Sequence, residues 1–238
     1  IDTQQVMRLD NNIKSCSYDS NLLNMYLYQK NPDIVIVVDY LYGCIDQKVI
    51  DIIQNYCISN NKSIIVHSRD LRRYKISEET VLFLNKEEYS TYKYSLNISD
   101  QDITNRRIIT EGANGVTYID CYKNIHQEQS LVNPINVSGA GDSVLATASI
   151  IECCGKFDFE ELTLLNEVGA LAVQSKETYI LNKQDLISKV IMSSNKEDSC
   201  RKLCSLDQLK VVLSYFDATN INLLVIEENI LTYLSHLK

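Results

Sequence analysis

The apolar positions of this chain fall in two rhythms. IVIVV (Ile34 to Val38) is an unbroken β-branched run, and IIV (Ile64 to Val66) repeats it after a helix-like stretch from Asp46 to Ile58. Continuous apolar runs separated by helical patterns predict parallel strands covered on both faces. A third strand is expected at Val81 to Leu84, followed by a helix over Lys86 to Tyr94, and a fourth strand at Arg107 to Thr110. Asn114-Gly115 is the strongest hairpin signal in the chain, so the next strand, Val116 to Ile119, should run antiparallel to its neighbour. Helices are predicted from about Asp142 to Cys154, with Gly155 as the stop, and over Phe159 to Ser175, where Leu162, Leu165, Val168, Leu171 and Ala172 share a stripe. A short helix is expected over Gln184 to Met192, a polar linker at Ser193 to Ser199, a helix capped by Ser205 and a strand at Ile221 to Ile226.

Composition narrows the class. A chain of 238 residues with 45% hydrophobic content can bury a core. Its net charge of -8 argues against a broad nucleic-acid or anionic-membrane surface. No stretch approaches the roughly 20 apolar residues of a membrane span, and no signal-peptide pattern opens the chain. The expectation is a soluble cytoplasmic protein, with its 8 cysteines as free thiols in a reducing compartment. Cys200 and Cys204 lack a neighbouring histidine and make a poor metal site. His236 is a lone histidine without a catalytic pair.

Only 7 glycines occur, yet Gly139 and Gly141 sit together in INVSGAGDSVLA (Ile135 to Ala146), between a strand-like end and a helix. Glycines let backbone approach an anion, and a helix N-terminus stabilises negative charge there. Asp142 would repel a ground-state phosphate, which suits a base that takes a proton from an attacking hydroxyl. The plainer alternative is that Asp142 caps its helix and the glycines make a tight turn. Asp39, at the end of a buried strand, could touch substrate or cap the following helix, and Arg69, Arg72 and Arg73 form a basic turn suited to a phosphate or to solvent.

VSGAGDSVLA resembles the signature of the ribokinase-like (PfkB) carbohydrate kinases. The resemblance implies a three-layer α/β/α, mostly parallel sheet, incomplete at the N-terminus. It makes Asp142 the catalytic base and the amides of Gly139, Ala140 and Gly141 an anion hole. Asn85 and Glu88 match an Asn-x-x-Glu motif that organises Mg²⁺ and phosphate, so that Glu88 is the implied metal residue and Asn85 a cofactor residue. Thr110, Gly112 and Gly115 resemble the Thr-x-Gly-x-x-Gly segment at the ATP site, and Asn166 falls where the family lines its adenine pocket.

The likeness is strongest to the heptose 7-phosphate kinases of ADP-heptose synthesis. QQVMRLD (Gln4 to Asp10), VDYLYG (Val38 to Gly43) and HSRDLRRY (His67 to Tyr74) resemble segments of that group, and LCSLDQLKVVL (Leu203 to Leu213) resembles the helix that opens its nucleotidyltransferase half. The implied organisation is a partial kinase domain at 1–192, a linker at 193–204 and a truncated nucleotidyltransferase-like start at 205–238. The implied reaction is phosphorylation of the heptose 7-phosphate C1 hydroxyl by ATP with Mg²⁺. The alternative is an inactive or weakened fragment that binds nucleotide or a partner protein. The expected partners are sugar phosphate and ATP, without nucleic acid or membrane. Exposed strand edges within residues 1–30 would invite another chain, a homodimer among the outcomes. Asn136 replaces the family's acidic residue before Ser-Gly-Ala-Gly-Asp, and His67 replaces an aspartate, which bears on monovalent-cation dependence.

Overall fold

The computed structural model describes residues 19–122, 124–128, 132–154, 157–180 and 222–227. In chain order the elements are α1 (Ser20–Lys30), β1 (Ile34–Asp39), α2 (Gln47–Ser59), β2 (Ser63–Ser68), β3 (Val81–Asn85), α3 (Lys86–Leu96), β4 (Arg107–Thr110), β5 (Val116–Ile119), β6 (Asn124–Gln127), α4 (Ala140–Cys154), α5 (Phe159–Val173) and β7 (Leu223–Ile226). The strands form one mostly parallel sheet in the order β6-β5-β4-β3-β2-β1-β7. The segment Gln4 to Asp10, the helices at 184–192 and 205–213, the linker, Gly155 and His236 lie outside the described residues.

Two compact units divide the chain, one comprising Ile1–Ile109, Ile119–Lys123 and Asn222–Lys238, the other Thr110–Tyr118 and Asn124–Ile221. In the first unit β1 pairs parallel with β2 on one side and β7 on the other, and β2 pairs parallel with β3. All six residues of β1 are buried, as a strand covered on both faces requires. Asp46 caps α2 through the Val49 amide, and Val49, Ile50, Ile53 and Cys57 pack into the same core as Val35, Val37 and Val66. β7 extends the sheet beside β1. Asn222 locks it there: its amide donates to Asp33 Oδ2 at 2.9 Å and its Nδ2 to Lys30 O at 2.6 Å.

Arg107 is a buried cation at the start of β4, 2% exposed. Its guanidinium donates to the carbonyls of Ile103, Asn105 and Asp100 at 3.0, 3.1 and 2.9 Å, and its Nε to Tyr89 Oη at 3.0 Å. Desolvation together with the Asp100 carboxylate pushes the Tyr89 hydroxyl up to about 12.

β5 follows β4 after five residues, and Glu111 N donates to Gly115 O at 2.8 Å. So short a link between adjacent strands permits only the antiparallel arrangement the Asn-Gly pair suggests. In the second unit α4 and α5 pack closely. A Cβ on Gly169 would lie 3.4 Å from Val144 Cγ2, so the small residue brings the helices together.

Among the described cysteines the free-thiol expectation holds at three positions and fails at one. Cys57, Cys121 and Cys153 are free, but Cys44 is disulfide-bonded. The free-thiol reading therefore fails at Cys44, whose pairing no spacing rule could give. Burial pushes the Cys57 thiol up to about 12. No helix among the described residues is long and apolar enough to cross a membrane.

Candidate active site

The glycine loop is built by two tethers. The amides of Ile135 and Asn136 both donate to Val173 O, at 2.7 and 3.1 Å, tying the loop to the end of α5. Asn136 Oδ1 accepts from Ser138 N at 2.9 Å, and Asn136 Nδ2 donates to Lys176 O at 3.4 Å. Gly139 then turns the chain with φ +80°, and Ser143 N closes the first helical bond on Gly139 O at 3.0 Å. An L residue is strained in that conformation.

α4 therefore begins at Ala140, two residues before the expected start. Asp142 sits inside the first turn and is not the residue that precedes the helix, so the capping alternative does not hold. The residue at the cap position is Gly139. The amides of Gly141 and Asp142 fall in the turn that has no intrahelical acceptors, and Asp142 is exposed.

Beside this loop the second unit holds a cavity of about 370 Å³. Thr110 lines it from the end of β4, Gly112 and Gly115 from the β4–β5 link, Ala140 and Gly141 from α4, and Asn166 from α5. These six were named from sequence, and the fold brings them to one space. Gly139 and Asp142 flank it in the chain. Gly112 adopts φ +57° and Gly115 φ +102°, conformations that favour glycine in the segment closing the cavity. Asn166 is 4% exposed, and its Nδ2 donates to the carbonyls of Gln127 and Glu128 at 2.8 and 3.3 Å, fixing the end of β6.

Sequence reasoning missed the apolar walls. Val132, Pro134, Val137, Val144, Leu165, Gly169 and Val173 also line the space. Leu165 reads from sequence as one member of a core stripe. The available signal was Gly169, a glycine inside a helical pattern in a glycine-poor chain. The walls suit a flat, weakly polar group, and the glycine turn at the N-terminus of α4 suits an anion.

Asn85 and Glu88 belong to the first unit and together cap α3. Glu88 N donates to Asn85 Oδ1 at 2.8 Å and Asn85 N to Glu88 Oε2 at 2.9 Å, a reciprocal box. Glu88 Oε2 also lies 3.9 Å from His67 Nδ1, which is 3.0 Å from Phe83 O. Among the described residues no three His, Cys, Asp or Glu side chains converge on a point where an ion could sit.

Asp39 caps no helix, because Asp46 does so. It is fully buried and accepts from Ser68 Oγ at 2.9 Å, Tyr74 Oη at 2.6 Å and Leu41 N at 2.8 Å. Burial and this carboxylate together raise the Tyr74 hydroxyl far above its ordinary value. Of the basic turn, Arg72 is held by Asp70 at 2.6 and 2.9 Å, Arg69 stacks over Tyr40 and Arg73 over Tyr74.

Comparison with known proteins agrees on architecture. No family model matches the chain. Ribokinase of Bacillus subtilis is 29% identical over 136 residues, 55% of this chain and 46% of that protein. Among solved structures, Arabidopsis thaliana ribokinase complexed with ribose and ATP superposes with a TM-score of 0.55 at 15% identity, covering 74% of this chain and 60% of that one. Escherichia coli phosphofructokinase-2 in complex with potassium gives 0.55 at 16%, covering 83% and 62%. A Burkholderia thailandensis nucleoside kinase in complex with inosine gives 0.51 at 19%, covering 66% and 56%. The fold is thus the ribokinase-like α/β fold. The chain spans about half the length of the curated relative it matches.

Proposed function

We propose that the chain is an ATP-dependent kinase of the ribokinase type acting on a sugar or sugar phosphate, with the C1 hydroxyl of D-glycero-D-manno-heptose 7-phosphate as acceptor. The observation that carries this reading is the convergence of Thr110, Gly112, Gly115, Ala140, Gly141 and Asn166 on one cavity at the N-terminus of α4. The apolar walls accept the nucleotide base, and the first turn of α4 faces the phosphates. Asp142 takes the proton of the acceptor hydroxyl as its oxygen bonds to the γ-phosphorus. The bond from that phosphorus to the bridging oxygen breaks, and ADP leaves. Amides of Gly139, Ala140 and Gly141 meet the charge that develops on the transferred group.

Magnesium, when bound with ATP, neutralises phosphate charge. This ion keeps several waters and takes few protein carboxylates, so a single carboxylate can serve it. Glu88, with Asn85 fixing its orientation through the capping box, is the residue assigned to it. The heptose assignment rests on the VDYLYG and HSRDLRRY segments, and Arg69 and Arg73 are the cations there for a sugar phosphate.

Calorimetric titration with Mg-ATP, followed by ADP release on addition of heptose 7-phosphate, tests the proposal. The parent chain should bind ATP and turn it over, and Asp142→Asn should bind with similar affinity but lose at least about a hundredfold in turnover. Binding without turnover in the parent would leave a nucleotide-binding protein. A folded chain that binds no ATP would overturn the reading.

A further inference from the structure

Behind the loop that closes the cavity, the second unit holds three polar side chains that the glycine motifs do not involve. Thr117 on β5 is 8% exposed, and its Oγ1 lies 2.9 Å from Glu111 Oε1 and 2.7 Å from His126 Nδ1 on β6. Glu111 and His126 themselves are 3.8 Å apart. A hydroxyl has one proton. A carboxylate can only accept, so Thr117 donates to Glu111, and His126 Nδ1–H then donates to Thr117. Any other assignment sets two acceptors 2.9 Å apart.

Glu111 opens the turn that lines the cavity. Its N–H donates to Gly115 O at 2.8 Å, and its carbonyl accepts from Asn114 N at 3.1 Å. Between these bonds lie Gly112 and Ala113, which line the cavity. The side chain anchored by Thr117 and His126 is thus the fixed end of a turn that contains left-handed glycine and is also tied by Gly115 N donating to Gly112 O at 3.1 Å.

We infer that Thr117 and His126 are positioning residues for the nucleotide, holding through Glu111 the Gly112–Gly115 turn against the bound base. This rests on the nucleotide reading of the cavity. Neither residue touches ligand. Their action is to reduce the ordering that the turn undergoes when ligand binds.

The experiment compares Thr117→Val, which keeps the shape and removes the hydroxyl, with Thr117→Ser, which keeps the hydroxyl. Amide hydrogen exchange is read without ligand, and Mg-ATP affinity by calorimetry. In Thr117→Val, exchange at residues 112–115 should quicken about tenfold while amides inside α5 hold their rates, and the Kd for Mg-ATP should rise about tenfold. Thr117→Ser should restore both, and His126→Phe should shift both in the direction of Thr117→Val. Unchanged exchange in Thr117→Val overturns the inference, as does equal loss in the Ser and Val variants. If the parent binds no ATP, the kinase proposal fails at that step, and with it the positioning role.

Discussion

Alanine at Gly141 and alanine at Gly139 separate a glycine kept for ligand from one kept for backbone. Gly141 is the second residue of α4, and a Cβ built there meets nothing within 4 Å. Structure alone therefore predicts that Gly141→Ala folds as well as the parent or gains up to about 0.5–1 kcal/mol, the usual advantage of alanine over glycine in a helix. Gly139 is different. At φ +80° alanine costs about 1–2 kcal/mol, and its Cβ would stand 3.0 Å from Thr178 Cγ2. Thr178→Ser removes that methyl and relieves the contact, so Gly139→Ala combined with Thr178→Ser should remain about 1–2 kcal/mol below the Thr178→Ser parent. Urea unfolding reads these values, and Mg-ATP calorimetry reads the site. If the amides of the first turn cradle phosphate, Gly141→Ala puts a methyl where the anion approaches. Affinity should then fall at least tenfold, about 1.4 kcal/mol, in a protein that is no less stable. Parent-like ATP affinity in Gly141→Ala would refute the cradle. Full recovery of stability in the Gly139→Ala, Thr178→Ser pair would refute the backbone argument.

Two further outcomes concern the first unit. Arg107→Leu should destabilise by about 3–5 kcal/mol in urea unfolding, because it strands the buried carbonyls that the guanidinium satisfies and removes a well-paired buried charge. Acid should weaken the fold through Asp33, Asp70 and Asp100. The Asn222 amide, the Arg72 guanidinium and the Tyr89 hydroxyl are the leading causes that hold these carboxyls below their ordinary 3.8. A carboxyl depressed on folding contributes stability above its unfolded value, and that stability is lost as pH falls through 3.8 and below. The urea midpoint should drop across that window, and Asp33→Asn should flatten part of the slope.

Strands β1 to β3 were legible because a strand buried on both faces is apolar along most of its length, and β5 because the Asn114-Gly115 turn announces it. β6 was not, since NIHQ alternates between exposed and half-buried positions and carries no apolar run. α1 was also passed over: only Leu23 and Leu27 of its eleven residues are buried, too narrow a stripe for periodicity to reveal. The strand at β7 was legible as a strand but not in its pairing. Asp33 and Asn222 are separated by 189 positions, and local pattern contains no information about such a partner.

The candidate site divides along the same line. Glycine turns are legible because they are local: a positive φ at Gly112, Gly115 or Gly139 restricts the residue type at that position whatever surrounds it. The start of α4 was misplaced for a related reason. The eye assigns a helix cap to the first aspartate, whereas the chain is turned into the helix by Gly139, whose left-handed conformation leaves no sequence mark beyond glycine itself. Side chains whose meaning depends on distant partners were not legible at all. Asp39 reads from sequence as a strand-end carboxylate that could touch substrate or cap a helix, and only the fold shows that Ser68 and Tyr74 donate to it. Thr117 and His126 look like ordinary strand residues until Glu111 is seen between the hydroxyl and the cavity. The same chemistry, a carboxylate accepting from a hydroxyl, fully buried at Asp39 and half-buried at Glu111, serves the first unit as core and the second as support for a loop. What distinguishes the two is the backbone attached to the carboxylate: Asp39 ends a strand buried along its whole length, whereas Glu111 begins a turn that has the cavity on its other side.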